Sequence, residues 1–433
     1  VVAAGSFLLT LPITSESGES TPWVDAFFTA TSAGAVTGLV VVDTQEHWNF
    51  LGELIILSLI QIGGLGFMVG ASLVLASLRR GASLRDTLML RDGSPTLTLR
   101  EATDLSKRIL RFTFVTEGVG ATLLSIRFMA DESPVTAIWY GIFHSVSAFC
   151  NAGFDLMGGY RSLSGYDSSV WVNVVMIALI QAGSLSFMFF SDILEQWRWK
   201  GHRWNRLALD TKLVMVTNLA MIVLGGALFL ALEWNAGLQH TPNWAKPMSA
   251  LFQSVSARTA GYATVSFAEV HAATMFLWTG LMLVGGASGS TAGGVKLATA
   301  AIVAIAVSST IQGQPEAQAF GRRISPNLVF RAMAIIALFV TTFFAITFAL
   351  AASEDGIGGN EVTFIHLAME SMSAMATVGL STGLTPNLTD LGKLILCLAM
   401  IFGRLGPLTA VYALQRRSRP ARYRYPEATV RLG

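Results

Sequence analysis

Charged residues are scarce in this sequence, at 13% of 433 positions, where soluble proteins carry about 25%. The length alone accommodates a cytosolic enzyme of two or three domains, but so little charge argues against one. Cysteine is nearly absent. Cys150 and Cys397 both lie in apolar surroundings, which excludes a disulfide framework or a cysteine-based zinc site. The six histidines, His47, His144, His202, His240, His271 and His366, follow no metal-binding spacing. A nucleophile–base motif and a dinucleotide fingerprint are also missing. Asp192 stands alone in its apolar stretch, where an intramembrane hydrolase needs paired aspartates or a Ser/His couple. Neither enzymatic function nor a bound cofactor is expected.

What the chain has instead is apolar length. Hydrophobic residues reach 52%, and glycine fills 41 of the 433 positions, a composition suited to helices packed closely in lipid. Crossing a bilayer takes about 20 apolar residues. Residues 54–78, 170–191, 213–232, 272–295 and 332–353 offer that length without a charge. Residues 109–130 and 394–415 do so around Glu117, Arg127 and Arg404, and 1–15 has the character of the end of a further span. The first residue is valine and no basic leader precedes the apolar residues. We expect the natural chain to begin upstream, without a cleavable signal peptide.

Of the 29 lysines and arginines, 22 fall in four segments, 79–111, 198–212, 322–331 and 416–431. The connections between are acidic, with Glu16, Glu19, Asp25, Asp43, Glu46, Asp131, Glu132, Glu354, Asp355 and Glu361. Basic segments mark the cytoplasmic side. Eight spans in the cell membrane with both termini cytoplasmic are therefore expected, and the acidic outer face modestly concentrates cations. This topology accounts for the basic residues, so no nucleic-acid partner is expected. The same segments offer docking surface to a regulator or to anionic membrane lipid.

The acidic connections repeat a signature. It runs Ser32-Ala-Gly-Ala-Val36-Thr37-Gly38-Leu39, Ser147-Ala-Phe-Cys-Asn151-Ala152-Gly153-Phe154, Ser256-Ala-Arg-Thr259-Ala260-Gly261-Tyr262 and Ser373-Ala-Met-Ala-Thr377-Val378-Gly379-Leu380. The third copy is one residue shorter. The signature glycines are 115, 108 and 118 residues apart. A second landmark follows in each copy, at Gly63, Gly183, Gly285 and Gly403, twice after almost the same phrase, Leu59-Ile-Gln-Ile-Gly63 and Leu179-Ile-Gln-Ala-Gly183. Two landmarks in register four times define a repeat of helix, re-entrant pore helix, glycine loop and helix.

The expected fold is all-α and integral to the membrane, with eight transmembrane helices and four re-entrant loops around one pore per chain. Repeat 1 spans 1–78, a basic linker 79–108, repeat 2 109–198, a linker 199–212, repeat 3 213–315, a linker 316–331, repeat 4 332–415 and the tail 416–433. Irregular backbone at membrane depth is tolerated only where it is buried or lines a water-filled path. A ring of carbonyls replacing an ion's hydration shell meets that condition, glycine permits the required conformation, and the short helices direct the negative ends of their dipoles inward. No acidic side chain lies within the signatures, so selectivity is expected at the carbonyls of Gly38, Gly153, Gly261 and Gly379, helped by Thr37, Asn151, Thr259 and Thr377.

The chain resembles the Ktr/Trk/HKT superfamily of potassium transporters, and within it the bacterial KtrB branch, over essentially its whole length. The specific pieces are Val36-Thr-Gly-Leu-Val-Val-Val-Asp43, Gln61-Ile-Gly-Gly-Leu-Gly-Phe-Met68, Ser147-Ala-Phe-Cys-Asn-Ala-Gly-Phe-Asp155, Arg258-Thr-Ala-Gly-Tyr262, Gly285-Gly-Ala-Ser-Gly-Ser-Thr-Ala-Gly-Gly-Val-Lys296 and Gly403-Arg-Leu-Gly-Pro-Leu-Thr409. The resemblance implies potassium uptake, with sodium as an activator. It also implies a homodimer with one pore per protomer, resting on a cytosolic ring of KtrA-type nucleotide-binding regulators. Two departures stand out. Repeat 2 has Gly183-Ser-Leu-Ser186 where repeat 1 has Gly63-Gly-Leu-Gly66, and the additional N-terminal hairpin of TrkH-type members is missing from this sequence.

Seven basic residues fall outside the cytoplasmic segments. Arg127, Arg161, Lys246 and Lys393 fit near helix ends or outer loops. Arg258, Lys296 and Arg404 do not, and an intramembrane charge marks function by default. Arg404 takes the position of Gly64, Ser184 and Gly286 in the other repeats, so it is expected near mid-span, either donating to carbonyls of an unwound segment or in a buried ion pair. That segment, 285–294, is Gly285, Gly286, Ala287, Ser288, Gly289, Ser290, Thr291, Ala292, Gly293 and Gly294, which propagates a helix poorly. The Gly-Lys-Ser/Thr ending of a phosphate loop is missing from it. In the superfamily the matching loop is an intramembrane gate, and the resemblance assigns that role here, with Arg404 as its partner. Arg258 is expected to brace the third pore helix through an ion pair, with Glu117 and Glu370 as candidate counter-charges. The rival functions are a sodium-coupled secondary transporter of another solute, whose repeats are commonly inverted, and a non-conducting scaffold.

Overall fold

The computed structural model describes residues 1–78, 99–197, 203–354 and 363–405. The basic stretches 79–98 and 416–433, and the last expected span beyond residue 405, lie outside them. The apolar runs form helices α1 (Val2–Leu9), α2 (Trp23–Ala35), α3 (Phe50–Leu78), α4 (Leu99–Phe128), α5 (Pro134–Cys150), α6 (Val170–Ser184) and α7 (Phe187–Trp197). They continue with α8 (Leu209–Glu233), α9 (Lys246–Ser256), α10 (Ala272–Met282), α11 (Leu297–Ile311), α12 (Pro326–Ser353), α13 (Phe364–Met375) and α14 (Asp390–Leu405). Pro134 at the first turn of α5 and Pro326 at that of α12 start those helices where no N–H is needed. The Ser133 side chain accepts from the Thr136 amide. Among the described residues, three helices are long and apolar enough to cross a membrane, Ser106–Phe128, Leu209–Glu233 and Pro326–Ser353.

Two helical expectations change. Residues 170–191 do not form one straight span, because α6 and α7 meet at a 93° bend, with Ser186 left-handed at φ 67°. The cause is remote in sequence. The carbonyls of Gly183 and Ser184 accept from the amides of Thr291 (3.2 Å) and Ala287 (2.8 Å), so they do not receive the amides four residues on that would continue the helix. The expected linker 316–331 also holds a small antiparallel ribbon, Gln318–Ala319 with Arg322–Arg323. Phe320 and Gly321 turn between its strands with φ 50° and 73°, the positive angles that a two-residue hairpin demands.

The short helices α2, α5, α9 and α13 lie inside the molecule, and every residue of α13 from Leu367 to Met375 is buried. Buried side chains gather into two large clusters. One draws mainly on residues before α7, among them Trp48, Phe128, Phe143 and Phe154. The other joins Phe28 and Leu39 to residues from Phe229 onward, among them Trp278, Phe339 and Met400. Helix α9 sends Phe252 and Val255 to the first and Ala250 to the second, so the two halves share an element beside the centre.

One buried carboxylate links two helix ends. Glu233 accepts from the amides of Gly237 (3.0 Å) and His271 (3.1 Å) and from the Thr274 hydroxyl, tying the end of α8 to the start of α10. Orphaning a buried donor costs about 1–3 kcal/mol. Glu233→Ala is expected to lower the melting temperature of the detergent-solubilised protein well below that of Glu233→Gln, as read by scanning fluorimetry. Equal melting of Glu233→Ala and the unaltered chain contradicts the assignment.

Candidate functional site

Each signature turns at a left-handed residue, Val36 (φ 58°), Asn151 (59°), Thr259 (69°) and Thr377 (50°). Three copies close with a bond spanning five residues, from Thr37 N–H to Ser32 O (2.8 Å), Ala152 to Ser147 (2.7 Å) and Val378 to Ser373 (2.8 Å). These bonds supply the long link of a Schellman ending. The shorter third copy closes over four residues, Ala260 to Ser256 at 3.0 Å. Val36, Thr259 and Thr377 are β-branched, and this conformation costs such residues about 1–3 kcal/mol. The second glycine landmark helps to hold it. A β-carbon on Gly63, Gly183 or Gly403 would collide with the carbonyl of Gly34, Phe149 or Met375, two residues before the turn. Gly285 differs: a β-carbon there would meet Gly293 O of its own loop and, at 3.3 Å, the Thr259 Cγ2 of the turn.

Two residues after each turn (Val36, Asn151, Thr259, Thr377) the signature glycines meet. Their φ angles are 94°, 72°, 79° and 97° for Gly38, Gly153, Gly261 and Gly379. A β-carbon on Gly38 would lie 2.9 Å from Gly153 Cα, and one on Gly153 3.0 Å from Gly261 Cα. One on Gly261 would lie 3.1 Å from Gly379 Cα, and one on Gly379 3.1 Å from Gly38 Cα. The ring closes. Each glycine Cα also faces the carbonyl oxygen that precedes the next glycine, Gly38 facing Ala152 O, Gly153 Ala260 O, Gly261 Val378 O and Gly379 Thr37 O. Leu39, Phe154, Tyr262 and Leu380 are buried behind it, and the Tyr262 hydroxyl donates to Phe154 O at 3.0 Å.

A vestibule of about 470 Å³ opens beside the ring, lined by its four glycines with Asp43, Asp155, Tyr160, Ser381 and Asn387 among others. Asp43 caps the turn after it, accepting from the Gln45 and Glu46 amides at 3.0 Å and from the Tyr160 amide at 2.7 Å. Burial, reinforced by the Asp43 charge, pushes the Asp155 carboxyl in the connection after α5 up to about 6.

Residues 285–294 lie between α10 and α11 and are not helical. Val284 and Val295 pair side by side at its neck, and Gly289 and Gly294 are left-handed. Only Ser288 and Gly289 are exposed; Gly285, Gly286, Ala287, Ser290, Thr291, Ala292, Gly293 and Gly294 are buried. The loop reaches the end of α6 through the amides of Ala287 and Thr291, and its Thr291 hydroxyl donates to Phe149 O at 3.2 Å and lies 3.2 Å from Asn151 Oδ1. Gly293 packs against Thr377. Arg404 donates to Thr291 O and, at 2.6 Å, to Gly63 O, joining this loop to α3. Lys296, just after the loop, donates to Ala292 O at 2.6 Å.

Three of the remaining basic residues bond to close neighbours. Lys393 pairs with Asp25 at 2.7 Å, Arg127 pairs with Asp131 at 2.7 Å, and Lys246 donates to Trp234 O at 2.7 Å. Arg258 differs. It donates to Asn218 Oδ1, whose amide reaches Gln181 Oε1 at 3.0 Å. Glu117 instead accepts from Gln61 at 3.1 Å, and Glu370 accepts from the Ser381 and Thr385 hydroxyls at 2.7 Å each. Neither carboxylate pairs with Arg258, because each is engaged by its own neighbours.

Two site features escaped the sequence reading. Thr37 is one residue out of register with Asn151, Thr259 and Thr377, so the four expected helpers are not equivalent. The signature serines are structural members of the site. Ser32 and Ser373 accept from the amides of Gly38 and Gly379 at 3.1 Å, and Ser147 and Ser256 donate to the carbonyls of Phe154 (2.8 Å) and Tyr262 (2.5 Å). Their fourfold recurrence was the available signal.

The cation transport protein family TrkH matches residues 3–419. The potassium/sodium uptake protein NtpJ of Enterococcus hirae is 38% identical over the whole chain and 95% of its own length. The Ktr system potassium uptake protein B of Vibrio alginolyticus is 34% identical over the whole chain and 92% of its length. The solved structure of the potassium transporter TrkH from Vibrio parahaemolyticus has the same fold, with a TM-score of 0.72 at 18% identity over 96% of this chain and 82% of that one. The chain belongs to the TrkH family of cation transport proteins, which are membrane transporters and not enzymes.

Proposed function

We propose that this chain takes potassium into the cell through the glycine ring, which acts as a carbonyl-lined selectivity filter. The observation that carries the reading is the mutual contact of Gly38, Gly153, Gly261 and Gly379 with backbone oxygens between them. Carbonyls around one axis can replace the hydration shell of a monovalent cation. The C-terminal ends of α2, α5, α9 and α13 lie just before the ring, where their dipoles favour a cation. The filter residues are Val36, Thr37, Gly38, Leu39, Asn151, Ala152, Gly153, Phe154, Thr259, Ala260, Gly261, Tyr262, Thr377, Val378, Gly379 and Leu380. The four tandem repeats with eight spans and the cell-membrane location with both termini cytoplasmic belong to the same proposal. The names of the relatives, a potassium/sodium uptake protein and a potassium uptake protein, support potassium as the transported ion; sodium is its activator in this reading. A homodimer on a KtrA-type ring completes it.

The flap 285–294 and Arg404 form the closed gate in this reading. A fixed guanidinium below the filter opposes potassium electrostatically, and its two donated bonds lock the flap across the path. Charge-assisted bonds are worth about 1.5–3 kcal/mol each, so opening without them is at least about tenfold easier.

Rescue of a potassium-uptake-deficient strain, with and without sodium, tests the function. The unaltered chain is expected to restore growth at low potassium with no second solute, and Gly379→Ala to abolish it, since its β-carbon would press on Gly261 and Gly38. No rescue by the unaltered chain sinks the reading. Arg404→Ala, or deletion of several flap residues, is expected to raise potassium flux at least about tenfold in liposomes lacking the regulator; unchanged flux in both removes the gate. Asp155 is ionised above about pH 6 and attracts cations to the mouth. Uptake is therefore expected to fall as external pH drops through about 6, and Asp155→Asn to flatten that profile at the lower level. A variant that keeps the full pH dependence contradicts the assignment.

A further inference from the structure

The side chain three residues before each signature serine occupies one structural position, held by Thr29, His144, Gln253 and Glu370. In three repeats it makes the same bond. Glu370 Oε1 accepts from the amide of Thr382 at 2.8 Å, and His144 Nε2 accepts from that of Leu156 at 3.3 Å. The Gln253 carboxamide, with its oxygen turned to the donors, accepts from the amides of Thr264 at 2.7 Å and Val265 at 3.2 Å. Thr382, Leu156 and Thr264 each stand three residues after the signature glycine. The residues just before them, Ser381, Asp155 and Ala263, line the vestibule. The bond thus fixes the backbone where it leaves the ring and turns outward.

The chemistry of each acceptor is settled by its other contacts. His144 Nδ1 lies 2.7 Å from Tyr140 O, so Nδ1 carries the proton and Nε2 is the acceptor. Glu370 Oε1 also takes the Ser381 and Thr382 hydroxyls at 2.7 and 3.1 Å, and Oε2 takes Thr385, so the carboxylate gathers a whole turn of the fourth loop. Thr29 is too short to reach across. Among the described residues its buried hydroxyl has no partner, and the first repeat hangs from the second instead, through Asp43 to the Tyr160 amide at 2.7 Å and the Tyr160 hydroxyl to Val41 O at 3.4 Å.

We infer that Glu370, Gln253 and His144 are positioning residues of the ring. Each acts through one buried acceptor on the third amide after the signature glycine, and the first repeat lacks this brace. The three are specificity determinants because the spacing of ring carbonyls decides which dehydrated ion they replace water for, and a freed outer segment lets that spacing relax. The inference rests on the reading of the ring as the ion path.

Potassium and sodium uptake by the purified chain in proteoliposomes, with monodisperse elution as the check on folding, tests it. His144→Leu and Gln253→Met remove the acceptor; His144→Gln and Glu370→Gln retain one; Thr29→Val removes a hydroxyl that braces nothing. The acceptor-lacking variants are expected to lose at least about fivefold in preference for potassium over sodium, while the acceptor-retaining ones and Thr29→Val keep the unaltered ratio. Should His144→Leu aggregate, Gln253→Met carries the comparison. An unaltered ratio in a folded acceptor-lacking variant, or an equal loss in Thr29→Val, overturns the inference. Absence of potassium uptake by the unaltered chain fails the underlying reading instead, and the two failures are distinct.

Discussion

Four backbone turns can share one ring only if none carries a side chain. Gly38, Gly153, Gly261 and Gly379 meet that constraint, each Cα pressed on its neighbour and on the carbonyl oxygen before it. Much of the surrounding structure serves this contact. The left-handed residues ahead of the glycines bring the chain round, although three of them are β-branched and strained there. Gly63, Gly183 and Gly403 let their helices approach the turn carbonyls. The signature serines tie the ring backbone to the helices that deliver it.

The flap depends on the same economy of backbone groups. Its amides take the carbonyls of Gly183 and Ser184, which ends α6 and bends it away from α7. Thr291 then presents its own carbonyl to Arg404, whose second bond reaches Gly63. One guanidinium so connects α14 to the loop 285–294 and to α3.

What could be read from the sequence was whatever the backbone enforces on residue type. The ring and the flap were legible because positive φ and close approach select glycine, so spacing alone exposed four copies and an unwound stretch. The bend between α6 and α7 was not, since its cause lies about a hundred residues downstream in the flap's amides. The partner of Arg258 was missed because charge matching favours carboxylates, and Asn218 supplies a neutral oxygen. The bracing position stayed hidden for a similar reason. Glutamate, glutamine and histidine share an acceptor atom at one place in space, and no residue identity records it.

The most direct test is to see where the ion sits. Rubidium substitutes for potassium and scatters anomalously, so diffraction from crystals grown in its salt reports its position. A peak on the axis enclosed by Gly38, Gly153, Gly261 and Gly379, within coordination distance of their carbonyls and of those of Thr37, Ala152, Ala260 and Val378, is expected. Protein that transports rubidium yet shows no density there, or holds it at side-chain oxygens elsewhere, contradicts the central claim.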